Sequence, residues 1–196
     1  MLRELFTAAK TLALLTLLTG AGYPLLVTGL ARALFPHAAE GSLVDSAGLP
    51  AAPDAAARGS ALVGQSFTDA GHFRGRPSAT APTPCNAAAS GGSNLGPTNP
   101  AFVDAVRGRV DGLAAAGSPG PGIPVDLVTA SASGLDPHIS PAAAEFQVPR
   151  VARARGMDEE AVRAIVRRHT LGRQFGLLGE PRVNVLLVNL DLDRAR

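Results

Sequence analysis

The sequence has no tryptophan, one tyrosine, one cysteine and one lysine, and each scarcity closes off a class of explanation. With Tyr23 as the one tyrosine, a core has to be built from Ala, Val and Leu, and it depends on close backbone packing. A single cysteine, Cys85, excludes an internal disulfide framework and any multi-cysteine metal site. It reads as a small residue in a packed turn, and it gives no guide to the compartment. The lone lysine, Lys10, precedes the longest apolar run, so no Gly-x-x-x-x-Gly-Lys phosphate loop is possible. The Asp-Lys-Thr-Gly type of phosphorylation motif is missing too, so the chain holds no phosphorylation site of the P-type kind. No basic run is interleaved with aromatics, which leaves nucleic-acid binding without support, and the formal charge is only +2. His72, His138 and His169 have no metal-ligand spacing, and His37 reads as interfacial; no metal and no cofactor is expected.

What is present is one long uncharged run. Thr11 to Ala31 carries no charge between Lys10 and Arg32. Those 21 residues, at about 1.5 Å each, span roughly 31 Å, the thickness of a bilayer's hydrocarbon core. The run is too long for the apolar core of a signal peptide, although Ala38-Ala39 resembles a cleavage site. Arg3 and Lys10 precede it, while Arg32 is soon followed by Glu40 and Asp45, which favours an N-terminus inside and the bulk outside. Thr16, Thr19, Gly20 and Tyr23 fall on one helical face, where small residues and hydroxyls favour helix–helix contact in lipid. Tyr23 lies near mid-span, far from the headgroups, so its hydroxyl calls for a protein acceptor. Pro24 removes the bond to the Gly20 carbonyl and predicts a kink there. The alternative is that the threonines bond their own backbone and Tyr23 tolerates the lipid.

The remainder divides by composition. Residues 1–10 read as a cytoplasmic N-terminus, 11–31 as the transmembrane helix, 32–58 as a linker with one short strand at Leu43–Val44, and 59–196 as a soluble extracytoplasmic domain. Gly and Pro make about a fifth of the chain, high but below low complexity. A short strand is expected within Ala61 to Phe67, then an ordered loop from Thr68 to Ser93. Asn99-Pro100 opens a helix with Phe102, Val103, Val106, Val110 and Leu113 at helical spacing, running to Gly117. Ile123, Val125, Leu127 and Thr129 alternate and predict a strand. Ser140-Pro141 opens a second helix that Gly156 ends, with Ala144, Val148, Val151 and Ala152 inward. Asp158 caps a third, with Val162, Ile165 and Val166 inward. Val183 to Asp193 predicts a final strand. The fold class is one N-terminal transmembrane helix plus a small α/β (or α+β) extracytoplasmic domain.

Two constellations bear on chemistry. Ala89-Ser-Gly-Gly-Ser-Asn-Leu-Gly96 is the nearest thing to a Gly-rich anion loop, so Ser90, Gly91, Gly92 and Ser93 stand as an alternative nucleotide loop against a purely structural turn. Ser131, Ser133, Asp136 and His138 hold the residue types of a hydrolytic triad, which is the other alternative. Asp136 and His138 flank Pro137, however, and no Gly-x-Ser-x-Gly elbow is present. Asp69, Asp104, Asp111 and Asp126 are scattered along the chain and define no one acidic face. No catalytic residue is expected.

A run of further segments carries a resemblance: Tyr23-Pro24 with Gly29, Gly59-Ser-Ala-Leu-Val-Gly-Gln65, Gly75-Arg-Pro-Ser-Ala-Thr80, Ala89-Ser-Gly-Gly-Ser-Asn-Leu95, Thr98-Asn-Pro100, Val125-Asp-Leu-Val-Thr-Ala-Ser-Ala-Ser-Gly-Leu-Asp136, Ile139-Ser-Pro-Ala-Ala-Ala144 and Gly179-Glu-Pro-Arg-Val-Asn-Val185. In this order, over residues 20–193, the chain resembles the C subunit of the bacterial high-affinity potassium-transporting (Kdp) P-type ATPase. Cys85 departs from the family's Pro-Tyr-Asn pattern, which bears on any contact drawn through that ring. The resemblance implies a non-catalytic accessory subunit in the bacterial inner membrane, beside a channel-like potassium-translocating subunit, a P-type ATPase subunit and a small single-span subunit. ATP and potassium would be handled by the complex. The family's C subunit is needed for assembly. A family proposal has the Ser-Gly-Gly-Ser region assist nucleotide binding, which an extracytoplasmic domain could not do with cytoplasmic ATP.

Overall fold

A computed structural model of the chain describes residues 1–52, 57–117 and 122–195. Residues 53–56 of the segment read as linker, and the final residue, lie outside the described residues. The N-terminal run forms helix α1 (Leu2–Leu17), a π-helical turn (Leu18–Gly22) and helix α2 (Tyr23–Leu34), continuous over 33 residues, none of them buried. It is long and apolar enough to cross a membrane. Phe35 breaks it, and the short helix α3 (Pro36–Ala39) follows.

The α/β region begins earlier than residue 59. Strand β1 (Leu43–Val44) forms as expected and pairs antiparallel with β2 (Gly59–Ser60), so part of the stretch read as linker is held in a sheet. Val44 is buried. The strand expected within Ala61–Phe67 does not form. Pairing stops at Ser60, and Gly64 instead donates its N–H to the Leu135 carbonyl at 2.8 Å.

Helix α4 (Pro100–Ala115) starts as its cap dictates, with the Asn99 side chain accepting from the Ala101 N–H. Residues 125–129, expected as a strand, make a 3₁₀ turn (Val125–Leu127). Pro124 cannot donate to a ladder, and the Thr129 N–H turns back onto the Val125 carbonyl. Consecutive Leu127 and Val128 are both buried, which a strand's alternation does not allow on a one-sided sheet. Strand β3 (His138–Ile139) leads into helix α5 (Pro141–Arg155), capped by Ser140 and ended by Gly156 in the left-handed conformation (φ 64°). Helix α6 (Glu159–Arg168) is capped by Asp158, and β4 (Thr170–Leu171) follows.

The chain's end is the largest departure from expectation. The strand is only β5 (Arg182–Asn184). Val185–Arg194 is helix α7, started by the Asn184 side chain accepting from the Leu187 N–H. A short apolar run fits either period, and burial decides here: Val185, Val188 and Leu192 recur at helical spacing and are all buried. β5 lies between β3 and β4 in a three-stranded antiparallel sheet, with Ile139 opposite Val183 and Thr170 opposite Val183. The core forms where α5, α6 and α7 meet this sheet: Ala143, Ala144, Val148, Val151, Val162 and Val188 are fully buried. The side chains are small, so the elements sit close, as expected for a chain poor in aromatics.

The long loop between β2 and α4 has no regular element except a 3₁₀ turn at Ala87–Ala89, yet it is fixed. Two buried amides hold it as a partner strand would. Asn189 on α7 accepts from the Phe73 N–H (2.8 Å) and donates to the Phe73 carbonyl (3.0 Å). Gln147 on α5 does the same to Arg74, at 2.8 and 3.1 Å. Arg150, only 3% exposed, donates to the Ala70 and His72 carbonyls and to Gln147 Oε1. Phe73, 1% exposed, anchors the segment in the core.

Candidate functional site

The membrane-length helix has its irregularity where Pro24 predicts one, and the disturbance takes the form of a π turn. The Tyr23 N–H reaches back to the Leu18 carbonyl. A proline ring collides with the carbonyl four residues earlier, here Gly20, and widening the preceding turn relieves that contact. Such turns are frequent at functional positions. Thr19 Oγ1 bonds its own backbone, the Leu15 carbonyl, at 2.7 Å. Gly20 lies against Thr16, whose methyl would be 3.9 Å from an added Cβ. Thr16 and Tyr23 coincide only on an unbroken 3.6-residue repeat, so the inserted π turn rotates Tyr23 off the Thr16 line. Tyr23 is 63% exposed, and its hydroxyl has no hydrogen-bond partner among the described residues.

The glycine-rich loop is engaged with the 131–136 segment. The Gly91 N–H donates to the Ser133 carbonyl (2.9 Å), and the Ser90 hydroxyl donates to the same oxygen (3.0 Å). A Cβ on Gly92 would come 2.7 Å from the Ala132 carbonyl oxygen, so this glycine permits a close backbone approach. One N–H of the would-be anion nest is therefore already in use by the protein.

The Ser, Asp and His of the would-be triad are not joined in a relay. Ser133 Oγ accepts from the Leu135 N–H at 3.1 Å, and no hydrogen bond links it to His138 among the described residues. Asp136 accepts from Arg76 (3.1 Å) and from the His138 backbone N–H (3.0 Å), while the His138 ring lies 3.7 Å away. Burial pushes the Asp136 carboxyl up, but His138 and the Arg76 guanidinium together outweigh it and hold the group below the usual carboxylate range. Asp126 accepts from the Ser140 N–H and hydroxyl, fixing the start of α5. These groups hold loops in place.

An outward feature that the sequence reading missed is the hairpin between β4 and β5. The Gln174 N–H donates to the Leu178 carbonyl, Phe175 and Gly176 take positive φ, and Arg173 closes the base on Glu180 at 2.6 Å. At its tip Phe175 is 93% and Leu177 78% exposed. The signal was present as Phe175-Gly-Leu-Leu-Gly179, apolar residues between turn formers, but with neither period it reads only as a loop.

One apolar membrane-length helix joined to a small α/β region with two small sheets defines a class: a membrane protein with a single candidate span among the described residues. The match to known proteins is specific. Residues 5–194 fit the family described as KdpC: K+-transporting ATPase, c chain, and the chain belongs to that family. It is 60% identical over 197 residues, covering the whole of both chains, to the potassium-transporting ATPase KdpC subunit of Sorangium cellulosum. It is 62% identical to that of Polaromonas naphthalenivorans over 91% of this chain and 88% of the relative. To that of Rhodopseudomonas palustris it is 54% identical over the full length of both. The resemblance drawn from the scattered motifs is therefore correct, and the chain is a Kdp-type potassium-transport subunit.

Proposed function

We propose that this chain is a non-catalytic accessory subunit that stabilises an ATP-driven potassium uptake complex in the bacterial inner membrane. The observation that carries the reading is a continuous 33-residue helix, long and apolar enough to span a bilayer, that buries no residue against the described remainder of its chain, in a protein related end to end to KdpC subunits. The N-terminus lies inside and everything beyond the long helix, residues 35–196, lies outside, as the flanking charges favour. The partners are a channel-like potassium-translocating subunit, a P-type ATPase subunit and a small single-span subunit. Thr16, Thr19 and Gly20 form one intramembrane contact, and Tyr23 and Pro24, turned aside by the π turn, extend it to an adjoining face, where the wide turn and small side chains admit a neighbouring helix and the Tyr23 hydroxyl finds an acceptor. The apolar hairpin tip makes a second contact with a partner outside the bilayer. Neither the Ser133–Asp136–His138 hydrolase reading nor the Ser90–Ser93 nucleotide reading gains support, since those atoms bond to their own loops.

The test has two parts. Deleting the gene should abolish growth at very low potassium and leave the other three subunits failing to co-purify; normal growth would sink the accessory role. In spheroplasts, added protease should digest the α/β region, and full protection would place it on the wrong side for this reading.

A further inference from the structure

Beside α4 lies an open cleft of about 360 Å³ whose charged lining is entirely basic. Arg74 and Arg76 come from the clamped loop and Arg109 from α4, with Gln65 and Ser78 as neutral polar neighbours and no carboxylate among the lining residues. The guanidinium groups are only partly engaged. Arg109 Nη1 donates to the Val128 carbonyl (2.7 Å), Arg74 Nη2 to the Thr68 carbonyl (3.1 Å), and Arg76 shares Asp136 from the neighbouring side. The Nε–H groups of Arg74 and Arg76 are buried without an acceptor among the described residues. Arg150, outside the lining but close enough to feel the Arg74 charge, donates its hydrogen bonds to carbonyl and amide oxygens. Burial and then the Arg74 charge, against the opposing pull of Asp69, lower it to about 10, so it remains a cation at neutral pH. Cys85 lines the same cleft, and burial pushes its thiol up, so it stays neutral and offsets nothing. Like charges gathered in one wall repel unless something neutralises them, and planar guanidinium groups match tetrahedral oxyanions donor for acceptor.

We propose that this arginine cleft binds a compact phosphate-type oxyanion, either free phosphate or the phosphomonoester headgroup of a lipid, braced between Arg74 and Arg109. The site is separate from the Ser90–Ser93 loop. A cleft of this size lies at the small end for ligands and admits a phosphate group with its water.

The test uses the full chain in neutral detergent, titrated calorimetrically at constant ionic strength with inorganic phosphate, and separately with a short-chain phosphatidic acid. Saturable heat with either probe is expected. Arg109→Gln, which keeps a donor for Val128, should weaken binding about tenfold through loss of a charge-assisted bond. Arg107→Gln removes the same charge from the exposed face of the same helix and should change nothing. Should Arg109→Gln fail to fold, Arg74→Gln serves in its place, because the clamp on residue 74 uses backbone atoms. Phosphate alone binding identifies a solution anion, and the lipid alone binding identifies a headgroup. No saturable heat from either, or equal losses in Arg107→Gln and Arg109→Gln, overturns the proposal.

Discussion

At the scale of single residues, two amides and one arginine bond the backbone of the loop to helices α5 and α7, beside the buried Phe73. Gln147 and Asn189 face the core, where a polar side chain is unfavourable unless it is bonded, and each is satisfied by the backbone of the 73–74 segment. Replacing Gln147 by alanine strands the Arg74 N–H and carbonyl and removes an acceptor from the buried Arg150 cation. The loss should be about 3 kcal/mol, at the upper end for a buried group left unpaired. Urea unfolding of the wild type and of Gln147→Ala measures it, and a difference below about 1 kcal/mol would show that water replaces the clamp. Titration offers a second check. Asp136 has a lowered pKa when folded, as do Asp69, Asp191 and Asp193, each with a His or Arg partner whose contribution outweighs burial. A carboxylate that is harder to protonate when folded stabilises fully above its unfolded value, 3.8 here. That contribution is lost as pH falls through the lower folded value. Stability should therefore be flat near neutrality with respect to these groups and decline below about pH 4, with Asp136→Asn reducing the slope. Stability that rises on acidification would contradict the assigned ion pairs.

Among the elements, the glycines of the loop cluster separate close packing from mere composition. Gly134 has φ 69°, and a Cβ there would lie 2.4 Å from the Thr80 methyl and 2.9 Å from the Gly91 carbonyl. Gly96 has nothing within 4 Å of its would-be Cβ. Gly134→Ala should cost about 2 kcal/mol or more through strain and overlap, while Gly96→Ala should stay within about 0.5 kcal/mol. Thermal melts of the two variants compare them directly, and equal melting temperatures would mean that the 91–92 and 131–134 segments separate freely. The same contrast explains what was legible beforehand. Helices α4, α5 and α6 announce themselves through Asn99, Ser140, Asp158 and Gly156, because a cap bonds to residues only two or three away. Helix α7 was hidden because Val185-Leu-Leu-Val-Asn-Leu satisfies a strand's composition, and only its packing on α6 and β5 selects the helical period. The amide clamps join residues 73 or 116 positions apart, and no local pattern encodes such a pairing. The arginine cleft was hidden likewise, since Arg109 meets Arg74 and Arg76 only after α4 folds against the loop. Within the membrane-length helix, Pro24 revealed the place of the disturbance but not its form.

For the whole molecule, the surfaces proposed for partner contact lie apart from the core that holds the fold. The α/β region closes its core without the long helix, which contributes no buried residue. Substitutions on the helix face or the hairpin tip should therefore leave folding intact and act on the complex alone. Gly20→Leu places a bulky side chain beside Thr16, where the proposed helix contact requires a small one. Phe175→Ser with Leu177→Ser removes two side chains already in solvent, so unfolding should shift by less than about 0.5 kcal/mol. Leu12→Ile, an exposed apolar exchange elsewhere on α1, is the matched control. With each variant expressed alongside the other Kdp subunits, pull-down yield should fall several-fold for Gly20→Leu and for the double serine variant, and hold for Leu12→Ile. If the hairpin variant assembles normally while Gly20→Leu does not, association is confined to the bilayer and the tip is free. If all three assemble normally, the partner contact lies on neither surface, and the exposed tyrosine hydroxyl at the π turn lies in lipid.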